Sequence, residues 1–349
     1  MNNELQFPTP SETARQAALA RQLKLTKPTG SLGRLEEVVV DLAAWFDEAI
    51  PQCRPAAALL FAADHGVSRL HVSAYPREVT RAMVHNFLTG GAAACVLSRH
   101  LQVPLTVIDV GVDGGKLDWA GPQYVRANVA EHESGDLVTT DAMSEATLVE
   151  ALLAGQSSVR NLPNDVRLVV LGEMGIGNTT VASALAAGLL GGDAEFWVGR
   201  GTGVEGSALK AKQHVVQSAL KRVGQNRTPR ELLRCLGGRE IAAMVGAIIE
   251  AARLRRAVLV DGFIVSVAAL AAVRLEPRSR PAMLFAHRSA EGAHGRLLEM
   301  MQARPMLQLD MRLGEGSGSL VALPLLDLAC RLHAEMATFD SAGVPDRQE

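Results

Sequence analysis

Short apolar runs, each ending in glycine or charged residues, constrain this chain more than any other feature. They span 57–62, 105–108, 168–171, 257–260 and 282–286, and several are rich in Val, Leu and Ile. Runs this short and this apolar suit strands covered on both faces of a parallel sheet. Between them the spacing predicts helices over roughly 78–99, 143–161, 179–190, 205–222, 238–255 and 289–303. Alternation of this kind implies right-handed βαβ units and a doubly wound α/β sheet.

The residues that follow the runs are polar and glycine-rich. They are Ala63-Asp64-His65-Gly66, Asp109 to Gly114, Gly172 to Thr180, Asp261-Gly262-Phe263 and His287 to Glu291. Ligands of open α/β sheets bind outside the carboxyl ends of the strands, at a topological switch point. A substrate cleft is therefore expected at that edge. The chain ends read differently. Residues 10–48 are largely helical, interrupted at 26–33, and 320–336 are helical too. Neither end carries a clear strand, so both suit a small helical domain beside the sheet. Residues beyond about 337 read as a frayed tail.

Composition excludes several roles. Aromatic residues make up 4% of the 349, too few for a single-strand nucleic-acid surface. The net charge is -2 with no basic block, so neither nucleic acid nor an anionic membrane is an expected partner. Cys53, Cys95, Cys235 and Cys330 are scattered, which indicates neither a zinc site nor a disulfide framework. No signal-peptide pattern opens the chain, and no apolar run reaches the roughly eighteen residues of a membrane span. A soluble, cytoplasmic protein is expected.

The segment Arg312-Leu313-Gly314-Glu315-Gly316-Ser317-Gly318-Ser319 places one carboxylate among glycines. A phosphate would be repelled by that carboxylate, so Glu315 reads as a proton acceptor; a Gly-rich turn with a solvated Glu315 fits the segment equally well. Gly172 to Thr180 opens a helix after a strand, where backbone N–H groups favour an anion and Asn178 or Thr179 suits the cap. It matches neither a Walker loop nor G-x-G-x-x-G. Glu173 sits oddly for a pure phosphate site and suits a ribose hydroxyl. A second cluster, Gly199-Arg200-Gly201-Thr202-Gly203, precedes a helix bearing Lys210 and Lys212, either a phosphate contact or a solvated face. Asp64-His65 is a weak dyad signal. His287 and His294 could share a helix face, but no third ligand accompanies them, so no metal and no cofactor is expected. No nucleophile elbow is present.

Taken in order, these segments resemble the nicotinate-nucleotide–dimethylbenzimidazole phosphoribosyltransferase family of cobalamin nucleotide-loop assembly. The resemblance is carried by Lys27 to Leu35, Ala63 to Val67, Val72 to Pro76 with Glu78-Val79-Thr80, and Asn86-Phe87-Leu88 with Gly90 to Ala93. Gly172 to Thr180, Gly199 to Gly203 and Arg312 to Gly318 complete it, so it covers about 24–335. The chain departs from the family at Ser68-Arg69-Leu70-His71, where a more acidic, glycine-containing stretch is the pattern.

The resemblance implies that nicotinate mononucleotide donates its phosphoribosyl group to 5,6-dimethylbenzimidazole, giving α-ribazole 5′-phosphate and nicotinate. It implies a homodimer with a Rossmann-like large domain at 51–304 and a small helical domain at 1–50 and 305–349. The family's catalytic base falls on Glu315. Lys212 and the Gly175, Ile176, Gly177, Asn178, Thr179 and Thr180 backbone would hold the 5′-phosphate, with Gly201 beside them. Glu173 would meet the ribose or nicotinate. Leu313, Ser73 and Met83 would contact substrate, with Tyr75 and Asn86 also suited to the base pocket. Two rivals carry different expectations. A dinucleotide-dependent oxidoreductase needs G-x-G-x-x-G after the first strand, where Asp64-His65-Gly66 stands instead. A non-catalytic nucleotide-binding module would tolerate Glu315→Gln.

Overall fold

The structure is a computed structural model; it describes residues 7–345 apart from 128, 130–132, 200, 202 and 204. Helices α1 (Glu12–Lys24) and α2 (Arg34–Phe46) precede strand β1 (Ala56–Ala62). Then come α3 (Val79–Leu88), α4 (Ala93–Leu101), β2 (Leu105–Asp109), β3 (Tyr124–Arg126) and α5 (Glu145–Arg160). The middle of the chain runs through β4 (Leu168–Met174), α6 (Asn178–Leu190), α7 (Ala194–Trp197), α8 (Gly206–Val223), α9 (Pro229–Leu236) and α10 (Arg239–Arg253). The last third holds β5 (Ala257–Val260), α11 (Phe263–Leu275), β6 (Met283–Phe285), α12 (Gly292–Met300), α13 (Ser317–Glu335) and α14 (Phe339–Ala342).

Among the described residues six strands form one sheet in the order β3-β2-β1-β4-β5-β6, and each pairing there is parallel. Chain order thus reverses between β1 and β4, which makes their junction the switch point. In register, Ala62 sits opposite both Asp109 and Met174, so the carboxyl ends share one edge. Side chains alternate across β1. Leu59 and Phe61 enter a core with α5, α6 and α8–α11, whereas Ala58, Leu60 and Ala62 enter another with α2–α4 and α13. Each face is thus covered by helices, which is why the strands read as unbroken apolar runs. The α/β class and parallel sheet expected from the sequence are the ones observed.

Several local expectations need correction. The helix expected over 78–99 is two, broken at Thr89–Ala92. β3 and α11 were not expected. α11 has buried residues at ten of its thirteen positions, so it has no polar stripe to mark it. The tail beyond 337 is not frayed at its start. Thr338 caps α14 through a capping box with Ser341 and bridges Leu25, and Thr26 N–H donates to Ala337 O at 3.0 Å. The two chain ends also meet through Arg21, which donates to the carbonyls of His333 and Ala334.

Candidate active site

The carboxyl edge of the sheet holds a cavity of 370 Å³ at the switch point. β4 and its turn supply Glu173, Gly175, Ile176, Asn178 and Thr179, and the turn after β5 supplies Asp261 to Val265. The segment after β6 adds His287, Ser289 and Glu291, and Arg312 to Glu315 close one side. Tyr75, Val79 and Met83 of the α3 region, together with Gly201, complete the wall. Among the residues expected to bind substrate, Gly177, Thr180, Lys212 and Ser73 do not line it, nor does Asn86. Ser73 instead accepts the Tyr75 N–H at 3.2 Å, and Ser68–His71 lies outside the wall.

Glu315 occupies the left-handed region at φ 65, between Gly314 at 87 and Gly316 at 77. A non-glycine residue held there stores strain that surrounding contacts must hold in place. One of those contacts is backbone packing on β4. A Cβ at Gly172 would stand 2.5 Å from the Glu315 carbonyl oxygen, so only glycine lets the loop rest on the strand. The Glu315 side chain is 8% exposed and its Oε2 accepts Ala94 N–H at 3.2 Å, in the first turn of α4. Burial raises its carboxyl above the usual glutamate value; the Ala94 bond opposes the rise and the Asp261 charge adds to it.

Glu173 faces the same space. Burial, then the charges of Asp261 and Glu240, push it up to about 8, so it carries its proton at neutral pH. Asn178 Nδ2 donates to its Oε2. This corrects the expected cap: Gly177 is the N-cap of α6, without a side-chain cap bond, and the Asn178 amide serves Glu173. It also places Gly172 and Glu173 inside β4, which runs to Met174, so the turn proper is Gly175–Gly177.

Lys212 of α8 is fully buried behind the wall. Its Nζ donates to Thr179 Oγ1 at 2.8 Å and to Gly199 O at 3.3 Å. Burial pulls its ammonium down to about 8, against the opposing charge of Glu291. Gly201 N–H donates to Glu291 Oε2 at 3.1 Å. These contacts bring Thr179, Gly199, Gly201, Lys212 and Glu291 to one corner; Arg200 and Thr202 of the glycine cluster lie outside the described residues.

Asp261 and Glu291 are site residues that sequence reasoning did not assign. Asp261 is buried and its Oδ1 accepts Ser319 N–H at 2.7 Å, which fixes the start of α13 just after Glu315. His287 Nε2 lies 3.7 Å from the same oxygen. The signal for Asp261 was its place directly after a strand. His287 and His294 do not share a helix face, because His287 precedes α12. His294 spends both ring nitrogens on Ser266 Oγ and Ser289 N–H, each at 2.9 Å, and burial pulls its imidazole down to about 3. Asp64 and His65 lie behind the wall, where His65 Nε2 meets Glu240 at 3.1 Å.

The site therefore offers a partly apolar cavity, four lining carboxyls that burial raises above their ordinary values, Glu173 among them protonated at neutral pH, and a corner with a buried lysine. Comparison with known proteins gives a consistent answer. A phosphoribosyltransferase family model matches residues 7–344. A nicotinate-nucleotide–dimethylbenzimidazole phosphoribosyltransferase of Bradyrhizobium sp. is 48% identical over 97% of this chain and 96% of its own. One of the same name from Pseudomonas putida is 47% identical over 96% of this chain and 95% of its own. Among solved structures, such an enzyme from Thermus thermophilus is 38% identical with a TM-score of 0.91, covering 97% of this chain and all of that one. The structure of CobT from the same organism is 40% identical with a TM-score of 0.92, covering 96% of this chain and all of that one.

Proposed function

The chain belongs to the nicotinate-nucleotide–dimethylbenzimidazole phosphoribosyltransferase family, and on that premise we propose that it makes α-ribazole 5′-phosphate from nicotinate mononucleotide and 5,6-dimethylbenzimidazole. The carrying observation is Glu315, a buried carboxylate on the cavity wall, held by the Ala94 N–H and raised toward working pH.

The chemistry follows from the substrates. A benzimidazole nitrogen attacks ribose C1′ with its lone pair as the bond from C1′ to the nicotinate nitrogen breaks. That bonding pair returns to the pyridine ring, which leaves as neutral-ring nicotinate without needing an acid. Positive charge spreads over the ribose in the transition state. The attacking base, now carrying an extra bond, loses its other N–H proton to the Glu315 carboxylate. Met83, Ile176 and Leu313 give the flat ring apolar contact. Glu173, protonated, donates to a ribose hydroxyl. Thr179, Gly201 and the Gly175–Asn178 turn receive the 5′-phosphate, with Lys212 behind supplying positive charge. Gly177 and Thr180 act through the turn and α6. Holding two reactants in line supplies much of the remaining acceleration.

Domain layout and assembly follow the same reading. The described residues of the segments 1–50 and 305–349 form a small helical unit beside the α/β body at 51–304, a reading supported by the bonds between the chain ends, while 1–6 and 346–349 lie outside the described residues. A homodimer is supported by Tyr75 and Leu313, cavity-lining residues that are 55% and 57% exposed. The test of function is chromatographic: purified protein incubated with the two substrates should release nicotinate and α-ribazole 5′-phosphate in equal amounts. No turnover of nicotinate mononucleotide, with this base or with other benzimidazoles and purines, would overturn the proposal.

A further inference from the structure

A second cavity lies at the opposite end of the sheet. It sits at the amino ends of β5 and β6, where the start of α1, helix α2 and the 277–284 segment meet. Its volume is 130 Å³, far more than the roughly 10–15 Å³ one water needs. Arg15, Asp41, Trp45 and Arg280 contribute its polar wall.

Two donors in that wall are under-used. Trp45 is 1% exposed, and its Nε1–H meets no acceptor among the described residues. Indole can only donate, so nothing but an acceptor satisfies it. Arg280 donates weakly to Met283 O at 3.4 Å and lies 5.1 Å over the Phe285 ring. Among the described residues no carboxylate pairs with it. Burial pulls its guanidinium below the usual arginine value; the Asp41 charge in the same wall opposes that shift and the Arg34 charge adds to it. Asp41, the wall's acid, is already engaged by Arg15 at 3.1 Å and Arg34 at 4.0 Å. Arg15 also meets Glu12 at 3.8 Å, so the wall cation without a carboxylate in contact, among the described residues, is Arg280.

We infer that this cavity binds a small tetrahedral oxyanion, sulfate or phosphate in size, between the Trp45 indole N–H and the Arg280 guanidinium. Water would satisfy the indole but leave the guanidinium with no anion in contact. An oxyanion does both, and the guanidinium fork matches two of its oxygens. The volume excludes a whole nucleotide, so this is not a second substrate site. Bound there, the anion would tie α2 to the 277–284 segment and so tie the amino-terminal helices to the sheet.

The test keeps the catalytic corner occupied by saturating nicotinate mononucleotide and titrates sulfate against chloride at matched ionic strength. Sulfate should raise the melting midpoint of the wild type in a saturable way, and chloride should not. Sulfate affinity should weaken about tenfold or more in Arg280→Gln, and measurably in Trp45→Phe, which keeps the aromatic bulk. Crystals soaked in selenate should show anomalous density within hydrogen-bond reach of both donors. Equal sulfate stabilisation of the wild type and both variants would reveal only general salting-out and overturn the inference, as would a cavity containing only water. Should Arg280→Gln fail to fold, Trp45→Phe and the selenate map decide.

Discussion

Glu173 is an acid kept protonated by its surroundings, and that has a measurable consequence for stability. Its carboxyl titrates near 4.5 when unfolded and near 8 in the fold. Between those values the folded chain holds a proton that the unfolded chain has released, so the group's contribution to stability falls as pH rises through the window. Glu173→Gln cannot ionise. Its melting midpoint should therefore decline less than that of the wild type between pH 5 and 8; parallel curves for the two proteins would refute the protonated assignment. Glu315, as the proposed base, differs because that role requires it to lose its proton. With its carboxyl raised by burial, activity should fall as the pH drops through that raised value, and the acid limb of kcat/KM should lie above pH 4.5, the ordinary glutamate value.

At the scale of elements, two glycines separate folding from chemistry. Gly155 of α5 presses on α10, where a Cβ would collide with the Ala243 carbonyl oxygen. Gly155→Ala should cost about 1–3 kcal/mol, read as a lower melting midpoint with kcat largely retained in the folded fraction. Gly172→Ala instead pushes on the Glu315 carbonyl, so kcat should drop well beyond what its loss of stability explains. Equal ratios of activity loss to destabilisation in the two variants would contradict the contrast. The elements also show what a sequence can reveal. β1, β4 and β5 were legible because burial on both faces leaves unbroken apolar runs. β3 has three residues and no such run. α11 is buried all round, and the period of a half-exposed helix is absent from it. The split between α3 and α4 is written in Gly90 and Gly91, which interrupt the helical pattern.

On the scale of the molecule, the switch point between β1 and β4 gathers residues that are far apart in sequence. Glu315 was legible because glycines isolate it. For Glu173 the strand-to-helix turn suggested a ribose hydroxyl, whereas for Lys212 the residues alone left a phosphate contact and a solvated face both open, and the family resemblance chose between them. Asp261 and Glu291 were not assigned, since what makes them part of the site is burial and the convergence of the segments that follow β4, β5 and β6, neither of which spacing reveals. The exposed Tyr75 and Leu313 bear on assembly. Sedimentation should give a two-chain mass, and Leu313→Glu should shift it toward one chain with a loss of activity; a monomeric wild type with full activity would exclude the dimer. The role of Glu315 is decided by comparing wild type and Glu315→Gln in single-turnover formation of α-ribazole 5′-phosphate, with melting measured alongside. A general base at this position predicts a loss of about 10²- to 10⁴-fold with a nearly unchanged melting midpoint. A folded variant that still makes product within a few-fold of the wild-type rate would show that Glu315 is not the base.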